Sequence, residues 1–408
     1  MYGGILKRFA LVFGVLALAG SAAYAESGWI RVRVFPQSEA EVQRICDSPL
    51  RLFSDDVTIG ATDLAIGPRE MPKLWSLGLR YRFISELPDP VGWENRAGED
   101  GTDYRNSYLR YDDIIALYET WRAANPRLMS RVQIGTSIGG RIIWGYRIFS
   151  NRRGDAEVPP KSLLILGGTH AREWITESVV MYIVDSILGQ LNTPSSPLEA
   201  KLADKCALYV VPCINPDGYE YCWTSDRLWR KNRRNNGNGT FGVDINRNWS
   251  VGWGGTGSSG SGGNETYRGT APFSEPETTS VKNFAASLPA LKGFIDFHSY
   301  GQYILYPWSY LTTGIPQASQ YQTIGNSVRS AILGVNGVSF TVGQASTTLY
   351  IAAGVSKDYT YATFGCPSYT IELRDTGANG FILPADQITP SQNETWEGFK
   401  AFINAVLP

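Results

Sequence analysis

The sequence predicts an α/β fold: a mixed, mostly parallel central sheet with helices on both faces, preceded by a small α+β unit. Three observations carry this. Short, continuously apolar runs alternate with helical patterns, as strands buried on both faces of a parallel sheet require. A stretch rich in Pro, Gly and acidic residues, Pro88 to Asp103, separates this alternation from what precedes it. Finally, 408 residues with 43% hydrophobic and 12% aromatic content suffice for a large core and a second, smaller unit.

The chain opens on a signal-peptide pattern. Lys7 and Arg8 form a basic n-region, Phe9 to Gly20 an apolar h-region, and Ala23-Tyr24-Ala25 a small-x-small cleavage site, so that residues 1–25 are removed. The apolar run falls short of the ~20 residues that span a membrane. The expectation is therefore a protein that does not span the membrane and acts outside the cytoplasm, secreted or, in a bacterium, periplasmic. From about 28 to 90 the small unit follows. Ile30, Val32 and Val34 alternate with Arg31 and Arg33, the period of a half-buried strand, and Ser38 with Glu41 makes a capping-box signature. In the stretch after it, Arg96 and Arg105 stand in or beside linker composition as sites for a processing protease.

From Tyr104 onward, Ile114, Leu117, Tyr118 and Trp121 recur at helical spacing. Ser162 to Gly167, Ala207 to Val211, Gly293 to Phe297 and Ser368 to Leu373 read as buried strands. Ser274 and Glu277, with Pro276 between them, predict a helix start, and Trp396, Phe399, Ile403 and Val406 give the last helix an apolar face. Gly252 to Gly263 reads as a flexible loop; with no GK[ST] after it, it is not a phosphate loop.

A formal net charge of −1 supplies no field to attract nucleic acid or an anionic membrane, so neither is expected as a partner. The basic run Arg227 to Arg234 on its own reads as a solvated face. Five cysteines, without a CxxC, leave at least one unpaired in a monomer; Cys213 and Cys222 flank a short loop, and the sequence leaves their pairing open.

The chain has only two histidines, His170 and His298. Each stands where a predicted strand runs out, the edge at which open α/β sheets bind ligands. Glu173 follows His170 at +3, and imidazole with carboxylate is a ligand set that zinc prefers. An isolated HxxE is weak, and two unrelated histidines remain an alternative at this point.

HAREW, INPDGY, LWRKNRR, DINRNW, FHSYGQYILYPW, TTLY and IELRDTG, in that order, resemble the A/B-type zinc metallocarboxypeptidases of digestion. The resemblance runs from about Tyr104 to Pro408. It implies that residues 101–408 form a zinc carboxypeptidase catalytic domain and, more loosely, that residues 26–100 are an activation pro-domain and linker. It further implies that His170, Glu173 and His298 hold one Zn²⁺ per chain, with a fourth position for a water that the metal activates. Glu372 would be the general base and Arg230 the oxyanion stabiliser. Asn246 and Arg247 would grip the terminal carboxylate of a peptide or protein substrate, Tyr350 would close over it, and Arg172 would contact the peptide one residue further in. Asp244 would orient His170.

Counted from Tyr350, Lys357 falls at the base of the family's specificity pocket. Relatives that remove Lys or Arg carry an acidic residue there and those that remove apolar residues an apolar one, so Lys357 implies a preference for C-terminal Glu or Asp. The alternative is that Asp296 neutralises Lys357 and the enzyme is broad or apolar-preferring. A zinc amidohydrolase acting on N-acyl amino acids would lack NRNW, TTLY and ELRDTG together, and a catalytically dead peptide- or metal-binding protein would be expected to have lost Glu372, Arg230 or a ligand, none of which is missing.

Overall fold

A computed structural model describes residues 28–54, 57–87, 103–151, 159–193 and 196–407. The signal-peptide pattern, Arg96 and all of the linker stretch but Asp103 lie outside the described residues. No helix among the described residues is long and apolar enough to cross a membrane.

The first unit is an antiparallel sheet of β1 (Trp29–Val34), β2 (Arg51–Leu52), β3 (Thr62–Ile66) and β4 (Tyr81–Leu87) in the order β2-β3-β1-β4, with helices α1 (Glu39–Cys46) and α2 (Met71–Ser76). Ser38 caps α1 by accepting from the Glu41 amide at 3.3 Å, while the Glu41 carboxylate reaches back to the Gln37 amide at 2.7 Å, one residue beyond the usual box. Strand β1 is not half-buried as its alternation predicts. Val32 and Val34 enter the unit's own core, but Arg31 is buried too. Its Nε donates to Asp63 of β3 at 2.8 Å, and its guanidinium also donates to the Gly377 carbonyl of the second unit. The polar face of the sheet is covered by the larger unit, and a cation buried there needs those partners.

The second unit contains α3 (Tyr111–Ala124), β5 (Met129–Thr136), β6 (Ile142–Ile148), β7 (Ser162–Leu166), α4 (Ile175–Asn192), α5 (Pro197–Leu202), β8 (Ala207–Val211), α6 (Pro216–Thr224) and α7 (Pro276–Ser287). It continues with β9 (Leu291–His298), β10 (Tyr303–Tyr306), α8 (Ala318–Asn336), β11 (Thr341–Gln344), α9 (Ala345–Thr348), α10 (Ser356–Phe364), β12 (Ser368–Glu372) and α11 (Ile388–Val406). The sheet order is β11-β10-β12-β9-β7-β8-β6-β5. Its centre, β12-β9-β7-β8, is parallel; β6, β5 and β10 are added antiparallel, and β11 runs parallel to β10.

The apolar strand runs feed two cores, one on each face. Leu163 and Ile165 of β7 join Ile295, Tyr369 and the apolar faces of α4, α8 and α11, while Leu164 and Leu166 join Phe294, Val281 and Phe284 on the side of α7. Each such side chain contributes roughly 1.5–3 kcal/mol on burial, which holds the strand ends in register. Helix α7 begins as predicted at Pro276, but its cap is Glu275: the Ser274 hydroxyl donates to Glu275 at 2.7 Å, and Glu277 accepts from the Ile138 amide and from Asn232. The glycine-rich loop is pinned, with Lys231 Nζ donating to the Gly262 and Asn264 carbonyls at 3.0 and 2.9 Å. Cys213 and Cys222 are not joined by a disulfide.

Candidate active site

Both histidines lie at C-terminal ends of central strands. Beyond β7 the backbone turns at Gly168, with φ +62; a Cβ there would fall 2.4 Å from a Glu177 oxygen, so the tight return that presents His170 requires glycine. Glu173 lies three residues on, just before α4, and His298 is the last residue of β9.

His170 Nδ1 is 2.8 Å from Glu173 Oε1, His298 Nδ1 is 3.1 Å from Glu173 Oε2, and the two Nδ1 atoms are 3.0 Å apart. The Ser299 amide donates to Glu173 Oε2 at 3.1 Å and fixes that carboxylate. Within the cluster one donor atom from each residue lies within 4.8 Å of the others, and all three residues are buried. Burial alone would raise the Glu173 pKa, but the two imidazoles hold it well below the usual carboxylate range. Burial likewise opposes charge on His298, yet Asp296 and Glu173 outweigh it and raise its proton affinity. The same negative field favours a metal cation, and two nitrogens with one carboxylate suit zinc.

Asp244 organises the next layer. It accepts from Arg230 Nε and Nη2 at 3.1 and 3.0 Å and from the Asn246 amide at 2.9 Å, and lies 3.2 Å from His170 Nε2, the nitrogen pointing away from Glu173. Its carboxyl stays well below its ordinary pKa although burial pushes the other way, because Arg230, His170 and Arg247 surround it. The amide bond shapes the short turn Ile245–Arg247, which carries Asn246 and Arg247 toward the site. Arg247 is steadied by the Gly257 carbonyl at 2.7 Å, so the pinned glycine loop has a positional role; its Nη2 is buried with no hydrogen-bond partner among the described residues.

Parallel register sets Glu372 of β12 beside His298 of β9. One cavity is lined by His170, Arg230, Asn246, Arg247, His298, Tyr350, Lys357 and Glu372, together with Leu305, Ser309, Ala345, Ala352, Val355 and Thr370. Leu349 and Tyr350 also line a cleft between the two units. Lys357, at the first turn of α10, donates from Nζ to the Ser309 hydroxyl, and Ser309 in turn donates from its amide to Asp358 at 2.7 Å. Burial pulls the Lys357 pKa below its ordinary value, against the pull of Asp358 and Glu372.

The pairing of Lys357 with Asp296 is not made. Asp296 accepts from Thr169 at 2.8 Å and from the Ser356 hydroxyl, and lies 3.1 Å from His298 Nε2. Sequence reasoning missed this contact with His298, although two residues apart on one strand share a face.

Arg172 stands apart from the cavity. Its Nη1 and Nη2 donate to the Leu52 and Ser54 carbonyls of the first unit at 2.7 and 3.2 Å, and its guanidinium lies over Phe381, 3.9 Å from the ring centroid. Between those carbonyls Phe53 is fully buried against Tyr300 and Phe381, and its own carbonyl accepts from the Tyr300 hydroxyl at 3.1 Å.

The sequence pattern of the zinc carboxypeptidases matches residues 114–398. Carboxypeptidase B of Astacus astacus is 39% identical over 305 residues, covering 74% of this chain and 97% of that protein. Carboxypeptidase A1 of Bos taurus is 34% identical over 340 residues, 81% of this chain and 80% of that protein. The crystal structure of thrombin activatable fibrinolysis inhibitor superposes with a TM-score of 0.81 at 25% identity, covering 93% of this chain and 98% of that one. With this sequence likeness over the larger unit and a His-Glu-His cluster suited to zinc, the chain belongs to the zinc carboxypeptidase family and is a metallocarboxypeptidase.

Proposed function

We propose that the enzyme removes C-terminal residues, acidic ones preferentially, and that it is made as a secreted precursor whose first unit keeps it latent. The observation that carries carboxylate recognition is Arg247: a buried guanidinium lining the cavity, with an Nη2 that no described residue satisfies. A buried cationic donor left without a partner is costly, and a substrate carboxylate beside Asn246 supplies one.

His170, Glu173 and His298 would hold the zinc, which when bound supplies a Lewis acid that polarises the scissile carbonyl and acidifies water. Glu372 takes the proton of the attacking water and returns it to the leaving amine. Arg230, oriented by Asp244, faces the charge that develops on the carbonyl oxygen. Tyr350, at the junction of cavity and cleft, covers the bound residue. Arg172 holds a substrate carbonyl once the carbonyls of Leu52 and Ser54 leave it.

Lys357 lines the same cavity and its Nζ donates to the Ser309 hydroxyl, an uncharged partner, which favours an acidic side chain as its counter-charge. The competing reading is a broad or apolar preference, supported by Leu305, Ala345, Ala352 and Val355 in the walls and by the lowered Lys357 pKa. Relative kcat/KM on N-blocked peptides ending in Glu, Phe and Lys separates the two; wild type favouring Phe would overturn the acidic reading.

Latency is supported by the grip of the first unit on Arg172. Arg105 lies over Tyr182 and donates to Asn393 at 3.3 Å, which makes Arg96 the better processing site for an activating protease. Trypsin treatment of the precursor is expected to raise peptidase activity; equal activity before and after would remove the inhibitory role.

A further inference from the structure

We propose that Asp296 is a positioning residue that sets the tautomer of His298, keeping a proton on Nε2 so that the Nδ1 lone pair faces the metal position. This rests on reading His170, Glu173 and His298 as zinc ligands. A histidine that binds metal through Nδ1 must carry its proton on Nε2, and the partner of that N–H decides whether it does.

Two groups compete for Nε2 of His298. Asp296 Oδ2, two residues earlier on β9, is an acceptor at 3.1 Å. Asn246 Nδ2, a donor, is 3.3 Å away. The amide of Asn246 is not turned around, because its Oδ1 accepts from the Ser356 amide at 2.9 Å. Were Nε2 to accept from Asn246, the ring proton would move to Nδ1 and point at His170 and Glu173, and the ligand lone pair would be lost. The same swap would commit an Asn246 hydrogen that the substrate carboxylate needs.

Asp296 decides this competition in favour of metal binding. It is fully buried and is itself oriented by Thr169 and Ser356, hydroxyls that donate without bringing a competing positive charge. These two flank the site in sequence: Thr169 precedes His170, and Ser356 precedes Lys357. Asp244 gives His170 the matching arrangement from the other side, at 3.2 Å from its Nε2.

The chain's two histidines make the test direct. In zinc-loaded protein labelled with ¹⁵N-histidine, both imidazoles are expected as Nε2–H tautomers. Asp296→Ala should broaden or shift the His298 signals and raise the zinc dissociation constant, read by chelator competition, by about 10- to 100-fold. Asp296→Asn, which keeps the shape and an acceptor oxygen, should fall between. Adding Asn246→Ala to Asp296→Ala should recover part of the loss, read against the Asn246→Ala single variant; a purely structural role for Asp296 would give no recovery. Unchanged zinc affinity and an unchanged His298 tautomer in Asp296→Ala overturn the proposal, and if that variant does not fold, wild-type zinc affinity and tautomer in Asp296→Asn do so. Zinc retained by His298→Ala would instead overturn the ligand reading beneath it.

Discussion

The two ends of the cavity follow opposite electrostatic plans. At the metal end each buried charge is met by an opposite one: Glu173 by two imidazoles, and Asp244 by Arg230, with His170 and Arg247 beside it. At the pocket end Lys357 is equally buried, but its near partner is a hydroxyl, and Asp358 and Glu372 act on it only through space. The first plan leaves little to be decided by the substrate. The second leaves a cation whose best counter-charge can arrive with the substrate, so on the proposed reading chemistry and selectivity rest on separate groups and should be separable by mutation.

Glu372→Gln should break the metal end most severely. On the proposed mechanism it removes proton transfer while leaving shape and the zinc donors in place, so kcat is expected to fall by about 10²- to 10⁴-fold with zinc content retained. A variant with near-normal turnover would end the general-base assignment.

Arg247→Ala tests the boundary between the ends. Loss of a charge-assisted contact of about 1.5–3 kcal/mol should raise KM for every peptide by roughly 10- to 150-fold, whatever its last side chain. Lys357→Ile should do the reverse, leaving the common terms nearly intact while the Glu-to-Phe ratio of kcat/KM falls by on the order of 10-fold or more. If the ratio does not move, the pocket end carries no selectivity.

The smallest expected effect is one of pH. Because burial lowers the Lys357 pKa, its charge is lost at a lower pH than for an exposed lysine. Preference for Glu should therefore decline as pH rises toward the ordinary lysine range, with Phe hydrolysis changing less. Lys357→Ile should abolish the difference between the two profiles. In the linkage to folding, a lowered native pKa means that the unfolded chain binds the proton more tightly, so Lys357 weakens the fold at low pH and the penalty fades as pH rises through the native value.

The sequence makes the metal end legible because its signals are scarce and local: two histidines, a glutamate at +3, and apolar runs that stop just before them. The same apolar runs reveal the parallel centre of the sheet. Strands β5, β6, β10 and β11 escape because they lie outward of that centre, and β5, with Arg131 and Gln133 among exposed positions, has no continuous apolar run. The burial of Arg31 is not legible, since alternation reports which side chains share a face, not whether a second unit will cover it. Lys357 is legible only by its place within a resemblance. Asp296, the alternative partner for Lys357, stands instead beside His298, which shares its strand face.

Arg172 holds the first unit by main-chain oxygens of residues 52 and 54, not by their side chains. Such a hold tolerates drift. Leu52 can change among apolar residues that still fill the first unit's core, and Ser54 among residues that keep or spare its bond from the Asp63 amide, without altering the groups that Arg172 grips. Phe53 cannot, since its ring is enclosed by Tyr300, Phe381 and the backbone of Gly380. A saturation library across these three positions should therefore show Phe53 as the least tolerant, Leu52 restricted to apolar residues by the core it packs in, and Ser54 the most permissive.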